Sequence, residues 1–317
     1  MTLPKRSQAT CLEVRLLREG IPESSHVVHA VVTDIRARVL SYAGDPQQST
    51  FARSALKPFQ ALAAVTTGTL EHFQLGDRDL AVMCASHQGL VEQTRQVFRI
   101  LWQADVDAVQ LQCPTPAGRQ SALEHGCSGK HAGMLATSQK CEWPLKGYLN
   151  AQHPVQQLIL GRVGEILGMP GAEFIAAHDD CGAPTYLMQL TQLAALYAHM
   201  GDGKHLDLEQ VSRAMTHHPE LVAGPGCFDT ELMRATEGDL ISKSGAEGVQ
   251  CLSRVGEGLG LAIKVTDGSR RAKVAAAIHA LHQLGWISPS VRDVLGEQFL
   301  SQGPYTRLEV LGELTLP

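Results

Sequence analysis

The chain contains no long apolar run, no low-complexity tract and no dense Lys/Arg cluster. Each absence removes a class of protein. No window approaches the roughly 20 apolar residues a transmembrane helix needs. MTLPKRSQATCLEVRLLREG, at the start, has basic residues but no apolar stretch of signal-peptide length behind them, so a cytoplasmic protein is expected. The formal net charge is -5. That balance argues against nucleic acid or an anionic membrane as the main partner. The densest basic group, Arg270, Arg271 and Lys273, reads as a helix surface. There is no CxxC and no HExxH. The eight cysteines are spread through a chain with ample material for a core, so disulfide stapling is unnecessary. GxSxG is also missing; GCSGKHAG fails as a phosphate loop, with Glu124 and His131 at two key positions, and GEGLGL fails the dinucleotide pattern at Leu261.

What is present is the patterning of an ordinary soluble globular protein, 317 residues long and 44% hydrophobic. EVRLLRE, HVVHAVVTDI and ARVLSYAG read as strands, and GDPQQST as a turn. SALKPFQALAAVTT reads as a helix with Pro58 in its first turn. VEQTRQVFRILWQA, HPVQQLILGRVGEILG, TYLMQLTQLAALYAHM and LDLEQVSRAMTHH follow with helical spacing, separated by Gly- and Pro-bearing loops such as HGCSGKHAG and HDDCGAP. Strand patterning returns in DLISKSG, GVQCLSRV and GLGLAIKVTDG, and RRAKVAAAIHALHQLG closes as a helix. Strands, helices, strands and a helix do not alternate as in a doubly wound fold. The order predicts an α/β sandwich whose mostly antiparallel sheet draws strands from both ends of the chain. One domain, with a helical block at about residues 90–218, is the simplest organisation.

Three short motifs could carry chemistry. Ser54-x-x-Lys57 reads either as a helix start with a capping serine or as a nucleophile and its base one turn apart. As a base the lysine would have to be neutral, through burial or a neighbouring cation such as Arg53. Lys243-Ser244-Gly245, late in the chain on a predicted strand, fits the K-[ST]-G element that accompanies SxxK in serine acyl-transfer enzymes. The S-D-N element of that group is missing; CASHQG, with Ser86, stands in the intervening region. Finally, Cys127 and Lys130 lie three residues apart, and Cys181 follows Asp179 and Asp180. Two thiolates with carboxylates nearby could hold zinc, or they are buried structural cysteines.

Taken together, RSALKPFQA, CASHQG, HGCSGKHAGML, AHDDCGAPTY, FDTELMRATEGDLISKSGAEGVQC and GLGLAIKVTDGSRRA resemble the asparaginase II family of the Rhizobium etli type, over essentially the whole chain. The resemblance implies a β-lactamase/penicillin-binding-protein-like α/β fold and hydrolysis of L-asparagine to L-aspartate and ammonia. It implies two Ser-Lys tandems, Ser54 with Lys57 and Ser86 with Lys264. It also implies a Zn2+ site of Cys127, Lys130 and Cys181, with Asp179 beside metal and substrate, and a homodimer. Here the two lines differ: the β-lactamase pattern points to Lys243 as the second lysine, the family resemblance to Lys264. The resemblance is followed, which leaves Ser244 and Gly245 to the substrate wall, with Arg53, His87 and Cys251 as further substrate contacts. Ser54 is expected to attack and Zn2+ to orient substrate without activating water, though the two serines could be reversed. A glutaminase, a penicillin-recognising enzyme or a silent amino-acid-binding regulator are the competing functions.

Overall fold

The computed structural model describes residues 9–317. Its strands are β1 (Leu12–Arg18), β2 (Ile21–Asp34), β3 (Val39–Ala43), β4 (Ser49–Phe51), β5 (Ile175–His178), β6 (Pro184–Gln189), β7 (Leu240–Ser244), β8 (Val249–Arg254), β9 (Leu259–Val265), β10 (Ser301–Gly303) and β11 (Thr306–Leu311). The helices are α1 (Lys57–Thr66), α2 (Thr69–His72), α3 (Asp77–Met83), α4 (Val91–Gln103), α5 (Ser128–Lys140), α6 (Pro154–Leu167), α7 (Leu190–Met200), α8 (Leu206–His217), α9 (Pro219–Val222), α10 (Phe228–Ala235), α11 (Arg270–Gln283) and α12 (Pro289–Phe299).

The main sheet is antiparallel in the order β10-β11-β1-β2-β9-β8-β7, with β3 on β2, so both ends of the chain build it. A second sheet, β4-β6-β5, is small. Side chains of a strand alternate between faces, and here both faces are covered. Ile241, Cys251 and Ala262 join the core that includes α7, whereas Leu240, Leu252 and Ile263 join the one that includes α11. That double burial explains why LISKS and VQCLS carry so little polar alternation. The mixed α/β architecture is the one the element order implied.

Close approach of α7 to the sheet depends on Gly260. A Cβ there would stand 1.9 Å from the Ala194 carbonyl oxygen and 2.6 Å from the Ala198 nitrogen. From α7 the Tyr197 hydroxyl donates to the Ala55 carbonyl at 2.8 Å, tying the helix to the turn that holds Ser54.

Two expectations change. TYLMQLTQLAALYAHM is not one helix: Pro184–Gln189 is strand, and α7 begins at Leu190, where the Gln192 side chain accepts from the Gln189 N–H. Its apolar residues serve two partners, first β4 and β5, then the main sheet. Nor does Ser54 cap a helix. Arg53–Leu56 forms a 3-10 turn, α1 starts at Lys57, and neither start has a side-chain cap. No helix of the described residues is long and apolar enough to cross a membrane.

Candidate active site

The hydroxyl of Ser86 lies between two amines. Lys243 Nζ is 2.8 Å from Ser86 Oγ and Lys57 Nζ is 3.0 Å from it. Ser86 follows α3 in a loop anchored by its own N–H to the Val222 carbonyl at 2.8 Å. The other two donors of Lys57 go to the Ala85 carbonyl at 2.6 Å and the Gly126 carbonyl at 3.1 Å. An ammonium has three donors, and all three are engaged, none of them by Ser54. Lys243 reaches Ser86 from the edge of the main sheet and also donates to the Ser244 carbonyl at 2.9 Å.

Lys243 is fully buried, and desolvation lowers its pKa to about 7, helped by the like charges of Lys57 and Lys273 and opposed by Asp229. Lys273 falls to about 8, again chiefly through burial. Burial alone would raise the pKa of Asp229, but Lys243, Lys273 and hydrogen bonds from Ser242 and Gln250 hold it below the ordinary value. Its carboxylate accepts from Ser242 Oγ at 2.7 Å, Gln250 Nε2 at 2.8 Å and the Ser244 N–H at 2.9 Å. One buried anion thus faces two buried amines, and the amine on Ser86 is able to lose its proton near neutrality.

Ser86 opens onto a cleft of about 650 Å3 that is also lined by Ser54, Ser244 and Gly245. The Ser54 turn follows directly on Arg53, whose φ is +49°, a conformation that is strained for a side chain of that size. Thr185 Oγ1 holds the Arg53 N–H at 3.0 Å, and the guanidinium donates to Asp179 at 2.6 Å and also to Asp180. Arg53 is therefore directed at these carboxylates and not at Lys57. Ser244 Oγ donates to Gln250 Oε1 at 2.9 Å, and Lys273 Nζ holds the Gly245 carbonyl at 2.9 Å.

Several expected contacts are not made. Lys264 does not meet Ser86: its amine donates to the Val265 carbonyl at 2.9 Å and to the Glu247 carbonyl. The reason is strand order, since β9 lies two strands in from β7, roughly 10 Å across the sheet. Cys251 cannot form the cleft rim, because it is fully buried between Lys243 and Ala262 in register. His87 is buried with both ring nitrogens committed, one accepting from the Gly89 N–H at 3.1 Å and one facing Ser128 Oγ at 2.9 Å. Burial pushes its pKa to about 3, so it fixes the Ser86 loop as a neutral ring. Conversely, Cys227, Asp229, Arg270, Arg271 and Lys273 line the cleft. The basic trio is thus no mere helix surface. Cys227, which has no telling neighbours in sequence, contacts Gln88 Nε2 at 2.9 Å.

Beside Arg53 stands the sulfur cluster. Cys127, Asp179 and Cys181 each bring a ligand atom within 4.8 Å of the others, and Lys130 Nζ is 3.6 Å from the Asp179 carboxylate. The Cys181 thiol donates to Cys127, and Lys57 and Lys130 add positive charge, so the Cys127 pKa is well below the ordinary thiol value despite burial. The proton of the pair stays on Cys181, whose pKa is raised. Two cysteine sulfurs and a carboxylate at this separation are a donor set that suits Zn2+.

An amine-polarised serine in an α/β sandwich is a constellation of serine acyl-transfer hydrolases. Residues 14–316 match the family described as L-asparaginase II. The chain belongs to that family of amidohydrolases. Among solved structures it is similar to Mglu, crystallised in its native form in 4.3 M NaCl, at 13% identity and a TM-score of 0.37, covering 81% of this chain and 60% of that one. It is also similar to a β-lactamase (Mb2281c) from Mycobacterium bovis, at 14% identity and a TM-score of 0.36, covering 86% and 95%. The chain thus spans about three-fifths of the length of Mglu. A search of the curated proteins matches none of them.

Proposed function

We propose that this chain is an L-asparagine amidohydrolase working through an acyl-enzyme. The observation that carries this reading is the hydroxyl of Ser86 held by Lys57 and Lys243 beside Ser54 in one cleft. Ser54 Oγ attacks the side-chain carboxamide carbon; its proton passes to Ser86, whose own proton goes to neutral Lys243. When the tetrahedral intermediate collapses, the carbon–nitrogen bond breaks, the same relay returns a proton to nitrogen, and ammonia leaves. Water then adds to the Ser54 ester, again giving its proton to Lys243 through Ser86; as the intermediate collapses the ester C–O bond breaks, the relay returns that proton to Ser54 Oγ, and aspartate is released. Lys57 keeps Ser86 oriented by fixing it against the Ala85 and Gly126 carbonyls. This reading transfers to Lys243 the second-tandem part first expected of Lys264. A second reading, in which Ser86 itself attacks, is favoured by its direct 2.8 Å contact with Lys243.

Zn2+ would be held by Cys127 and Cys181, with Asp179 adjoining and Lys130 joining as a ligand once its ammonium gives up a proton, and would supply a fixed positive charge for the amino-acid end of the substrate. Arg53, positioned by Asp179, flanks that end; Ser244 and Gly245 form the opposite wall. A homodimer in the cytoplasm remains part of the proposal as the family's expected state. The decisive experiment measures ammonia release from L-asparagine, L-glutamine and turnover of a chromogenic β-lactam side by side. Preference for asparagine is expected; silence on all three overturns the reading. Trapping the acyl-enzyme and mapping it by mass spectrometry separates the serines: an adduct on Ser54 is expected, and one on Ser86 selects the second reading. Removing the metal by chelation is expected to raise KM more than it lowers kcat.

A further inference from the structure

A second metal-capable cluster lies outside the cleft. His199, Asp202 and His205 each offer a ligand atom, and these atoms lie within 4.8 Å of one another. They sit at the C-terminal end of α7 and in the turn that leads into α8. We propose that these three residues bind a divalent transition-metal ion of the zinc class, at a site separate from the cysteine cluster and independent of the catalytic reading.

Local geometry builds the constellation. Gly203 has a φ of +69°, and this left-handed residue folds the chain back so that residues 202 and 205 face the end of the helix. Asp202 Oδ1 accepts from the Lys204 N–H at 2.9 Å, which fixes the carboxylate and leaves its other oxygen for a cation. His199 Nδ1 is buried without a hydrogen-bond partner. A buried nitrogen left unpaired is costly, and an ion is one way to satisfy it. The two rings stand 5.7 Å apart and tilted by 58°, so they are not merely stacked on each other.

Two imidazoles and one carboxylate suit zinc, cobalt or nickel, in preference to magnesium or calcium. Three protein ligands leave a fourth position for water, and exposed His205 gives the ion a way in. The surroundings assign it a bracing part. The Gly201 carbonyl accepts from the Gly256 N–H at 2.7 Å, so the cluster is fastened to the turn between β8 and β9. That turn is at the far end of β8 from the Ser244–Gln250 pair, roughly 17 Å along the strand. An ion here touches no substrate; it would pin α7, the start of α8 and the rear of the sheet together.

The test uses the full-length protein, stripped with chelator, re-equilibrated with excess Zn2+ and dialysed, with metal counted per chain by mass spectrometry. His205→Ala, at an exposed position, is expected to hold one equivalent of zinc fewer than wild type while ammonia release stays within twofold. Asp202→Asn keeps an acceptor for Lys204 but loses the charge, and is expected to weaken zinc at this site by about tenfold or more. Equal zinc content in wild type and His205→Ala overturns the proposal. So does retention by Asp202→Asn of undiminished affinity for all its zinc. The two deciding readouts, zinc content and zinc affinity, do not use the catalytic reaction, so failure of the asparaginase reading would leave this result standing.

Discussion

Lys243 and Lys264 are the same residue type on the same face of the same sheet, two strands apart, and only one of them is on a serine. Lys243 is fully buried, 2.8 Å from Ser86 Oγ, and its pKa falls to about 7. Lys264 is half-buried; desolvation lowers its pKa as well, but Glu247 and Asp267 oppose the fall, and its amine is spent on backbone carbonyls. The difference is environmental. An edge strand brings Lys243 to the Ser86 loop, where full burial and the amines of Lys57 and Lys273 outweigh Asp229, whereas Lys264 is only half-buried and has Glu247 and Asp267 beside it with no amine to offset them. A lysine becomes a base through the charges and the desolvation around it, whatever triplet it sits in.

The largest effect that would sharpen this contrast is at Lys243 itself. Lys243→Ala is expected to lower kcat by about 10^2- to 10^4-fold, the usual range for a general base. Lys243→Arg should be as poor, because a guanidinium stays protonated. Lys264→Ala is expected to stay within a few-fold of wild type in the same assay, and a dead Lys264→Ala would break the comparison. Next comes pH. Lys243 accepts a proton only when neutral, so kcat/KM should rise from acid pH to a plateau with an apparent pKa near 7. A rate already on its plateau at pH 5 would remove Lys243 from the base position. Asp229→Asn gives a smaller, directional change. It removes the anion that opposes the lowering at Lys243, so the acid limb should move to lower pH; movement to higher pH contradicts the assignment. Smallest is a contrast between two thiols. A maleimide should label Cys227 in the folded protein and leave Cys251 untouched, as peptide mapping would show.

Much of the architecture was legible because strand patterns at both ends and helices between them admit few arrangements. SALKPFQALAAVTT, DLISKSG, GVQCLSRV and GLGLAIKVTDG all fall where they were expected, apart from the first turn of the helix. Ser54, Ser86, Ser244 and Gly245 do share one cleft. The choice between Lys243 and Lys264 was not legible, since both follow strand patterning and only the lateral order of β7, β8 and β9 separates them. Cys251 was misjudged for a similar reason: inward or outward facing depends on a sheet covered on both sides, which erases the alternation that would reveal it. Asp229 lies 14 residues before Lys243, so nothing local signals that it balances a buried amine. The split of TYLMQLTQLAALYAHM was hidden because apolar residues suit a strand and a helix equally.

Gly260 has a further consequence for how this enzyme can change. It sets the thickness of the joint between sheet and α7, and Tyr197 carries that thickness onward to the turn that holds Ser54. Adding one methyl group at position 260 would therefore act as a shim, lifting the helix and pulling on the turn through the Tyr197–Ala55 bond. A residue that does not line the cleft is thereby coupled to its geometry.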